Sequence, residues 1–536
     1  MKPRAIVISG KVSTGKSTLA SRVAEILRAK LIRSKDLILD LKPGTKRTRL
    51  AMQRAGQRLD RETDGRWLAE ALSQRLASLP ANEMVVVDSV RIGAQVAALR
   101  RSGWVVTHIH LEASEGTLKA RYAKRGDKGG LQSYDKVSKN WTEKHVNDLK
   151  DLADSVIDTE RCSEEDVYCR VMARLTVRPM LLAPMVDVIV GGQYGSEGKG
   201  NIADYLAPDY DVLVRVGSVN AGHKVYRHGG DPYTFRQLPS GALGNPDAVL
   251  VLGAGTVIGL DVLLREIGEL AIPVTKLIID PQAMVISSQD VRWEERTLKH
   301  SIGSTAQGVG RATARKILGR TPGSSVQLAG QAPQLKHYVH DTVDYFAECF
   351  AQGKRILLEG TQGTSLSLHH GFYPWVTSRM TTADACLAEA GLASRYVRRI
   401  VMVCRTYPIR VGDSVTGRTS GTMNQQISFD EIARRSGLSA DEVKKVEKGS
   451  VSGRKRRVGE FDWAQLRRAL LLNGPTDLAL TFADYIDAGN RKAFRYEQLT
   501  EETVRFIEEL ENVSGIPVSL ISTAFNDRSI IDRRKW

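Results

Sequence analysis

Two stretches of this chain set glycines around a lysine in a pattern suited to phosphate. The first, Gly10-Lys11-Val12-Ser13-Thr14-Gly15-Lys16-Ser17, is a full G-x-x-x-x-G-K-S match followed by Thr18. In such a loop the backbone amides cradle phosphates, Lys16 reaches their charge and the Ser17 hydroxyl can ligate Mg2+. The second is Gly192-Gln193-Tyr194-Gly195-Ser196-Glu197-Gly198-Lys199-Gly200. Its glycines also let successive N–H groups converge on an anion, and Lys199 supplies the neutralising charge. It is not a second Walker loop, because Gly200 replaces the hydroxyl residue that would bind magnesium, and it carries a carboxylate, Glu197.

Each loop needs a strand before it and a helix after it. Residues 5 to 9 read as a buried strand, and Leu19, Val23, Ile26 and Leu27 recur on one face of the helix that follows. Met84 to Val87 form a second apolar run ending in Asp88, which can hold a magnesium shell or orient an acceptor, with Arg91 three residues on. Arg33 and Asp36, just beyond another short strand, are candidates for gripping that acceptor. Val105 to Leu111 is a further strand, and the next helix carries Arg121 and Arg125 ahead of Gly126 to Gly130, where arginines would stabilise a phosphoryl group in flight. Ser163 caps a last helix ending near Leu175. Residues 1–177 are therefore expected to form a P-loop domain of nucleotide- or nucleoside-kinase type, and 178–184, which contains Pro179 and Pro184, a semi-rigid linker. Residues 185–536 form the second domain. The expected fold is α/β: two P-loop-NTPase-like domains, each a mainly parallel sheet flanked by helices.

Downstream of the second loop come Asn220-Ala221-Gly222-His223, Gln237-Leu238-Pro239-Ser240-Gly241, Gly303 to Gly310, Glu359 to Thr364, Tyr373 to Ser378, Ser452-Gly453-Arg454-Lys455-Arg456-Arg457 and Phe482-Ala483-Asp484. In this order the set resembles the adenylosuccinate synthetases, which join a purine nucleotide to L-aspartate at the expense of a nucleoside triphosphate. The resemblance implies that Gly195, Glu197, Gly198, Lys199 and Gly200 hold the triphosphate, with Asp484 and Ser522 at its base. It makes His223 the general acid, acting with Lys199. Asn220, Ser304, Thr305, Gln362 and Thr377 would hold the purine monophosphate, and Arg320 would reach a partner subunit's site in a homodimer. Ser452, Arg454 and Arg456 would hold aspartate, whose two carboxylates suit the planar forks of paired guanidiniums. Magnesium would sit at the Gly222 carbonyl and residue 196.

Two positions depart from the family. Phe482 stands where a lysine flanks the guanine-reading aspartate, which leaves ATP against GTP open. Ser196 stands where the family has the aspartate that takes the purine N1 proton, and a hydroxyl is a far weaker base. Either this half is catalytically dead, or its substrate is one for which a carboxylate is unwanted. The same replacement resembles the phage 2-aminoadenylosuccinate synthetases, which act on dGMP, whose 2-amino group needs room beside N1. Lys199, His223 and the arginine pair are all present, which favours dGMP over a dead site. IMP as substrate, or a non-catalytic nucleotide sensor with an active kinase half, are the alternatives. The kinase half could make dGMP from deoxyguanosine or phosphorylate the pathway's product.

With 536 residues, 42% hydrophobic and 26% charged, the chain has ample core for two domains. The net charge of +16 raises nucleic acid as a partner, but no recognition motif accompanies the basic residues, and phosphate-bearing small molecules account for the charge. Five scattered cysteines without metal spacing, no apolar run long enough for a bilayer and no signal peptide lead to the expectation of a cytoplasmic enzyme without a membrane partner.

Overall fold

A computed structural model describes residues 3–76, 84–124, 134–138, 143, 145–175, 185–226, 231–302, 304–412, 420–447, 455–526 and 529–536. The chain divides into two compact units, Met1–Leu181 and Leu182–Trp536. The 178–184 linker lies outside the described residues.

The first unit is built on five parallel strands in the order Lys30–Arg33, Met84–Asp88, Arg4–Gly10, Val105–Glu112, Ser155–Asp158. The central strand is apolar on both faces because both are covered: Ala5 and Val7 enter one core, Ile6 and Ile8 the other. Helix Lys16–Ile26 buries Leu19 and Val23 as expected, but it ends at Ile26, which is exposed instead of facing the core. Helix Glu164–Leu175 is capped reciprocally, Ser163 Oγ accepting from Asp166 N at 3.1 Å and Asp166 accepting from Ser163 N at 2.9 Å.

The second unit carries a nine-stranded sheet. Its order is Leu277–Ile279, Val249–Leu252, Val212–Arg215, Ile356–Glu359, Val186–Gly191, Val397–Arg405, Asp477–Thr481, Val518–Ser522, Ile530–Asp532. Every pairing is parallel except the last, which is antiparallel. Along Val186–Gly191 the side chains alternate between two cores, Val186, Val188 and Val190 on one side and Ile189 on the other. The strand is thus fixed from both faces, and the glycine loop leaves its carboxyl end, where ligands of open α/β sheets bind. A short hairpin, His223–Val225 with Tyr233–Phe235, lies over the start of the next helix.

Candidate functional site

The loop between Val186–Gly191 and helix Lys199–Leu206 turns at Gly195 (φ 102°) and Gly198 (φ 87°), left-handed conformations that favour glycine. At its centre the buried Glu197 carboxylate accepts from the amides of Gln193 (3.0 Å) and Gly195 (2.7 Å). Lys199 Nζ sits 2.6 Å from the same carboxylate and 3.2 Å from the Gly195 carbonyl. Glu197 and Lys199 are therefore a buried pair that shapes the loop, and the Gly195 amide is already engaged. Gly200 has a steric reason to lack a side chain: a Cβ there would lie 2.8 Å from the Cβ of His223. The first turn of the helix and the histidine are packed directly together.

His223 is buried, and its Nδ1 bonds Glu359 at the end of the strand Ile356–Glu359. The same carboxylate accepts the Ser240 amide at 2.8 Å and the Ser240 hydroxyl. Arg215, its neighbour across the sheet, donates to the carbonyls of Leu238 (2.9 Å) and Ala221 (3.0 Å). Burial, followed by the charge of Arg215, pushes His223 down to about 4, against the opposing pull of Glu359. Burial favours protonated Glu359, but the positive groups around it and the Ser240 bond hold it low. We read the pair as an ionised Glu359 receiving the Nδ1–H of a neutral imidazole. His223 Nε2 then remains, buried and without a hydrogen-bond partner among the described residues. In sequence Glu359 and Ser240 fall within the segments that carry the resemblance but without roles of their own, and Arg215 lies in none of them, although a carboxylate closing a strand beside the glycine-loop strand was a signal.

A cavity of about 440 Å3 opens against this group. Its wall includes Ser196, Asn220, Gly222, His223, Ser304, Thr305, Gln362 and Thr377. A smaller cleft runs along Gly195, Gly198, Lys199 and Gly200. The two spaces share Gly195, Ser196, Gly222, His223 and Arg456. Ser196 makes no side-chain bond among the described residues; its carbonyl accepts from Arg405 at 3.3 Å. The acidic residue on the cavity wall among the described residues is Glu294, and it is already spent. It accepts from the amides of Gly308 (2.8 Å), Gly310 (2.6 Å) and Arg311 (3.1 Å). Those helix-start amides are thereby occupied, and the Ser304 hydroxyl on the same wall accepts from the Ala306 amide at 3.1 Å. Gln362 is held by donation to Asn220 Oδ1 (2.8 Å) and acceptance from Thr361 Oγ1 (2.9 Å).

Arg456 donates to Glu447 at 2.9 Å, and Glu447 also meets Arg405 (2.5 Å) and the Tyr485 hydroxyl (2.9 Å). Burial opposes its charge, but the two arginines outweigh burial and hold it at about 2. Ser452 and Arg454 lie outside the described residues, as does Arg125. Arg320 is exposed beyond the helix Val309–Leu318, its Nε on the Ile317 carbonyl at 2.7 Å, away from the cavity wall. Asp484 and Ser522 line a small recess with Gly198, Phe482 and Phe525. Burial lifts Asp484 to about 6, against an Arg491 Nε bond of 3.1 Å.

In the first unit Gly15 starts the helix in the left-handed region (φ 92°), and Lys16 Nζ rests on the Lys11 carbonyl at 2.6 Å. Gly10 lies just beneath, at the end of its strand. Ser17, Arg33, Asp88 and Arg91 share a cavity of about 790 Å3. Thr18 and Asp36 are not on its wall. Neither is Arg121, which is tied to Thr159 Oγ1 at 2.9 Å and the Thr159 carbonyl at 2.5 Å.

A parallel α/β sheet, a glycine–lysine phosphate loop and a buried histidine between two cavities define a nucleotide-binding enzyme site. The family model described as Adenylosuccinate synthetase matches residues 188–327 and 322–491, and one described as AAA domain matches 6–142. The adenylosuccinate synthetase of Methanocaldococcus jannaschii is 35% identical over 354 residues, 65% of this chain and 96% of its own length. That of Thermococcus onnurineus is 36% identical over 357 residues, 65% of this chain and 98% of its own. The cyanophage S-2L succinoaminodeoxyadenylate synthetase (PurZ), solved bound to dGMP and dATP as an energy donor, matches with a TM-score of 0.54 and 29% identity. It covers 66% of this chain and 96% of the phage protein. The fully ligated enzyme of Plasmodium falciparum shares the fold, with a TM-score of 0.56 at 20% identity over 66% of this chain and 100% of its own. The chain belongs to the adenylosuccinate synthetase family. Its synthetase half is joined to an N-terminal P-loop kinase-like domain. Among the described residues no helix is long and apolar enough to cross a membrane.

Proposed function

We propose that the second unit joins L-aspartate to C6 of dGMP, giving N6-succino-2-amino-2′-deoxyadenylate with cleavage of a nucleoside triphosphate. One observation carries this reading: Ser196 and His223 stand where a nucleotide-sized cavity meets the phosphate cleft, and no unengaged carboxylate lines that cavity among the described residues. A purine whose N1 edge carries an adjacent amino group meets a small neutral hydroxyl there, which leaves room and can accept a hydrogen bond.

In the reaction the purine 6-oxygen attacks the γ-phosphorus, and the bond to the leaving diphosphate breaks. The purine N1 proton is released to solvent as the oxygen attacks, and His223 Nε2, buried and without a partner among the described residues, is protonated from solvent and donates to the transferring phosphoryl group as general acid. Glu359 on the opposite ring nitrogen stabilises the imidazolium that results. Lys199 neutralises the phosphates. The amine of aspartate then displaces phosphate from C6, with the co-substrate's carboxylates on Arg454 and Arg456. Ser452 would join them, and Asn220, Ser304, Thr305 and Thr377 would hold the monophosphate while Gln362 meets the base.

Mg2+ fits the oxygen donors on this wall, the Gly222 carbonyl and the Ser196 hydroxyl, and in the first unit Ser17 near Asp88. Both donors in the second unit are neutral, so bound phosphates would balance the metal charge. When bound, the ion would neutralise phosphate charge. We take the triphosphate as ATP, since the phage neighbour was solved with dATP as an energy donor, Phe482 stands beside Asp484, and one oxygen of Asp484 is already engaged by Arg491. The first unit acts as a phosphotransferase. The protein works as a homodimer, Arg320 reaching toward the partner's site.

The test is direct. Purified protein is incubated with L-aspartate, Mg2+, ATP or GTP, and IMP, GMP or dGMP, and the succinyl adduct is sought by mass spectrometry. An adduct from dGMP supports the reading. An adduct from IMP alone contradicts the substrate, and none from any purine contradicts the ligase.

A further inference from the structure

The cavity of about 790 Å3 beside the first phosphate loop has more cationic than acidic residues on its wall. Arg33, Lys35, Arg47 and Arg91 line it together with Ser17, against two carboxylates, Asp60 and Asp88. Arg33 and Arg47 are exposed, and neither has a carboxylate partner among the described residues. Arg91 is steadied by the buried Glu143, 2.6 Å away, and its amide donates to Gln95 Oε1 at 3.0 Å. Gln95 in turn donates to Asp60 Oδ1 at 2.8 Å, and the Trp67 indole donates to that same oxygen at 2.7 Å. Asp60 is thus held through Oδ1, by two donors that also line the cavity. Ile38, Met52 and Trp67 supply apolar wall.

A hydroxyl acceptor and a phosphate acceptor ask for different surroundings. An alcohol must lose a proton as it attacks, so it needs a base and gains little from guanidiniums. A phosphate monoester attacks with an oxygen that is already anionic, and it needs cations to hold two like charges together. Arg33, Arg47 and Arg91 meet the second demand, and Asp88, the carboxylate that could serve the first, is on our reading the one beside the magnesium site at Ser17. An apolar wall with one anchored carboxylate suits a planar base whose edge donates hydrogen bonds, as the N1 and N2 edge of guanine does.

We propose that this cavity takes a nucleoside monophosphate as phosphoryl acceptor, its phosphate held by Arg33, Arg47 and Arg91 and its base edge by Asp60. The proposal rests on the phosphotransferase reading of the first unit. In the step, an oxygen of the acceptor's phosphate forms a bond to the γ-phosphorus of a nucleoside triphosphate. The bond to the β-bridging oxygen breaks, its electron pair leaves with the nucleoside diphosphate, and no proton has to be removed.

The experiment uses the full-length protein with ATP and Mg2+ and without aspartate, so that the ligase cannot consume the acceptor. It offers dGMP, dAMP, dCMP and dTMP and the matching nucleosides, with chromatography of the products. The expected result is diphosphate from the monophosphates, dGMP foremost, and nothing from the nucleosides. Arg33→Ala and Arg47→Ala should each raise the acceptor KM about tenfold or more, with the ATP KM changed less than threefold, as loss of a phosphate contact requires. Monophosphate formed from a nucleoside would overturn the proposal and leave the phosphotransferase reading standing. No transfer to any acceptor would overturn that reading and the proposal with it.

Discussion

Replacing Glu359 by glutamine removes one buried negative charge and little volume. In the structure that charge receives His223 Nδ1, the Ser240 hydroxyl and the Ser240 amide, and it faces Arg215. If the imidazole must carry a proton while phosphoryl charge builds at Nε2, the loss is that of a charge-assisted hydrogen bond, about 1.5–3 kcal/mol. At about 1.4 kcal/mol per decade this lowers kcat by roughly 10- to 100-fold. KM for the purine and for aspartate should move less than about threefold, because neither touches Glu359. Arg215 would keep Glu266 as a counter-charge, so the accompanying loss of folding stability should stay below the roughly 3–5 kcal/mol of a broken buried ion pair. The assay is steady-state production of the succinyl adduct at saturating substrates, with circular dichroism to show that the variant is folded at the assay temperature. A folded Glu359→Gln enzyme whose kcat stays within about threefold of the parent would refute the pairing as the source of the histidine's function.

Three further outcomes follow from the same geometry. Gly200→Ala should lower kcat by about tenfold or more, since its Cβ would meet His223 at 2.8 Å and push the ring from its seat; unchanged kinetics would show the contact to be soft. Ser196→Asp should reduce kcat/KM for dGMP by about tenfold or more through crowding of the 2-amino group, measured by adduct formation; undiminished dGMP turnover would remove Ser196 from the specificity argument. Acid should destabilise the second unit in two stages. His223 has a folded value of about 4 against an ordinary 6.5, so the unfolded chain binds the extra proton between them. Stability is full above about pH 6.5 and falls toward pH 4, by up to about 1.4 kcal/mol per pH unit. Glu359, also held low, adds to the loss below its ordinary range of about 4.5. Urea unfolding at pH 7, 6 and 5 should show this slope in the parent and a flatter one in His223→Asn; equal slopes would contradict the neutral-histidine assignment.

The parts of this molecule that could be read from sequence were those whose physics is local. Glycines that must adopt φ near +90°, a lysine at a helix start and an apolar strand with no polar face declare themselves within ten residues, and from them both sheets and both loops followed. The buried polar framework could not be read that way. His223 and Glu359 are 136 residues apart, Arg405 and Ser196 209 apart, and they meet only through sheet register. Glu447 appears in sequence as one acidic residue in a charged helix, yet it anchors Arg405, Arg456 and Tyr485 from the end of Ala440–Val446. Glu197 misled in another way: its place in a phosphate loop suggested contact with the ligand, whereas its carboxylate already occupies two loop amides. Ile26 kept helical spacing but fell on the last residue of its helix, where the apolar face no longer meets the core.

The most direct measurement compares dGMP with 2′-deoxyinosine monophosphate, which differ only by the 2-amino group. A neutral Ser196 on a wall with no spare carboxylate among the described residues predicts that kcat/KM for adduct formation is at least about tenfold higher with dGMP, the worth of one hydrogen bond and a fitted shape. Equal rates, or a preference for the deoxyinosine nucleotide, would contradict the account.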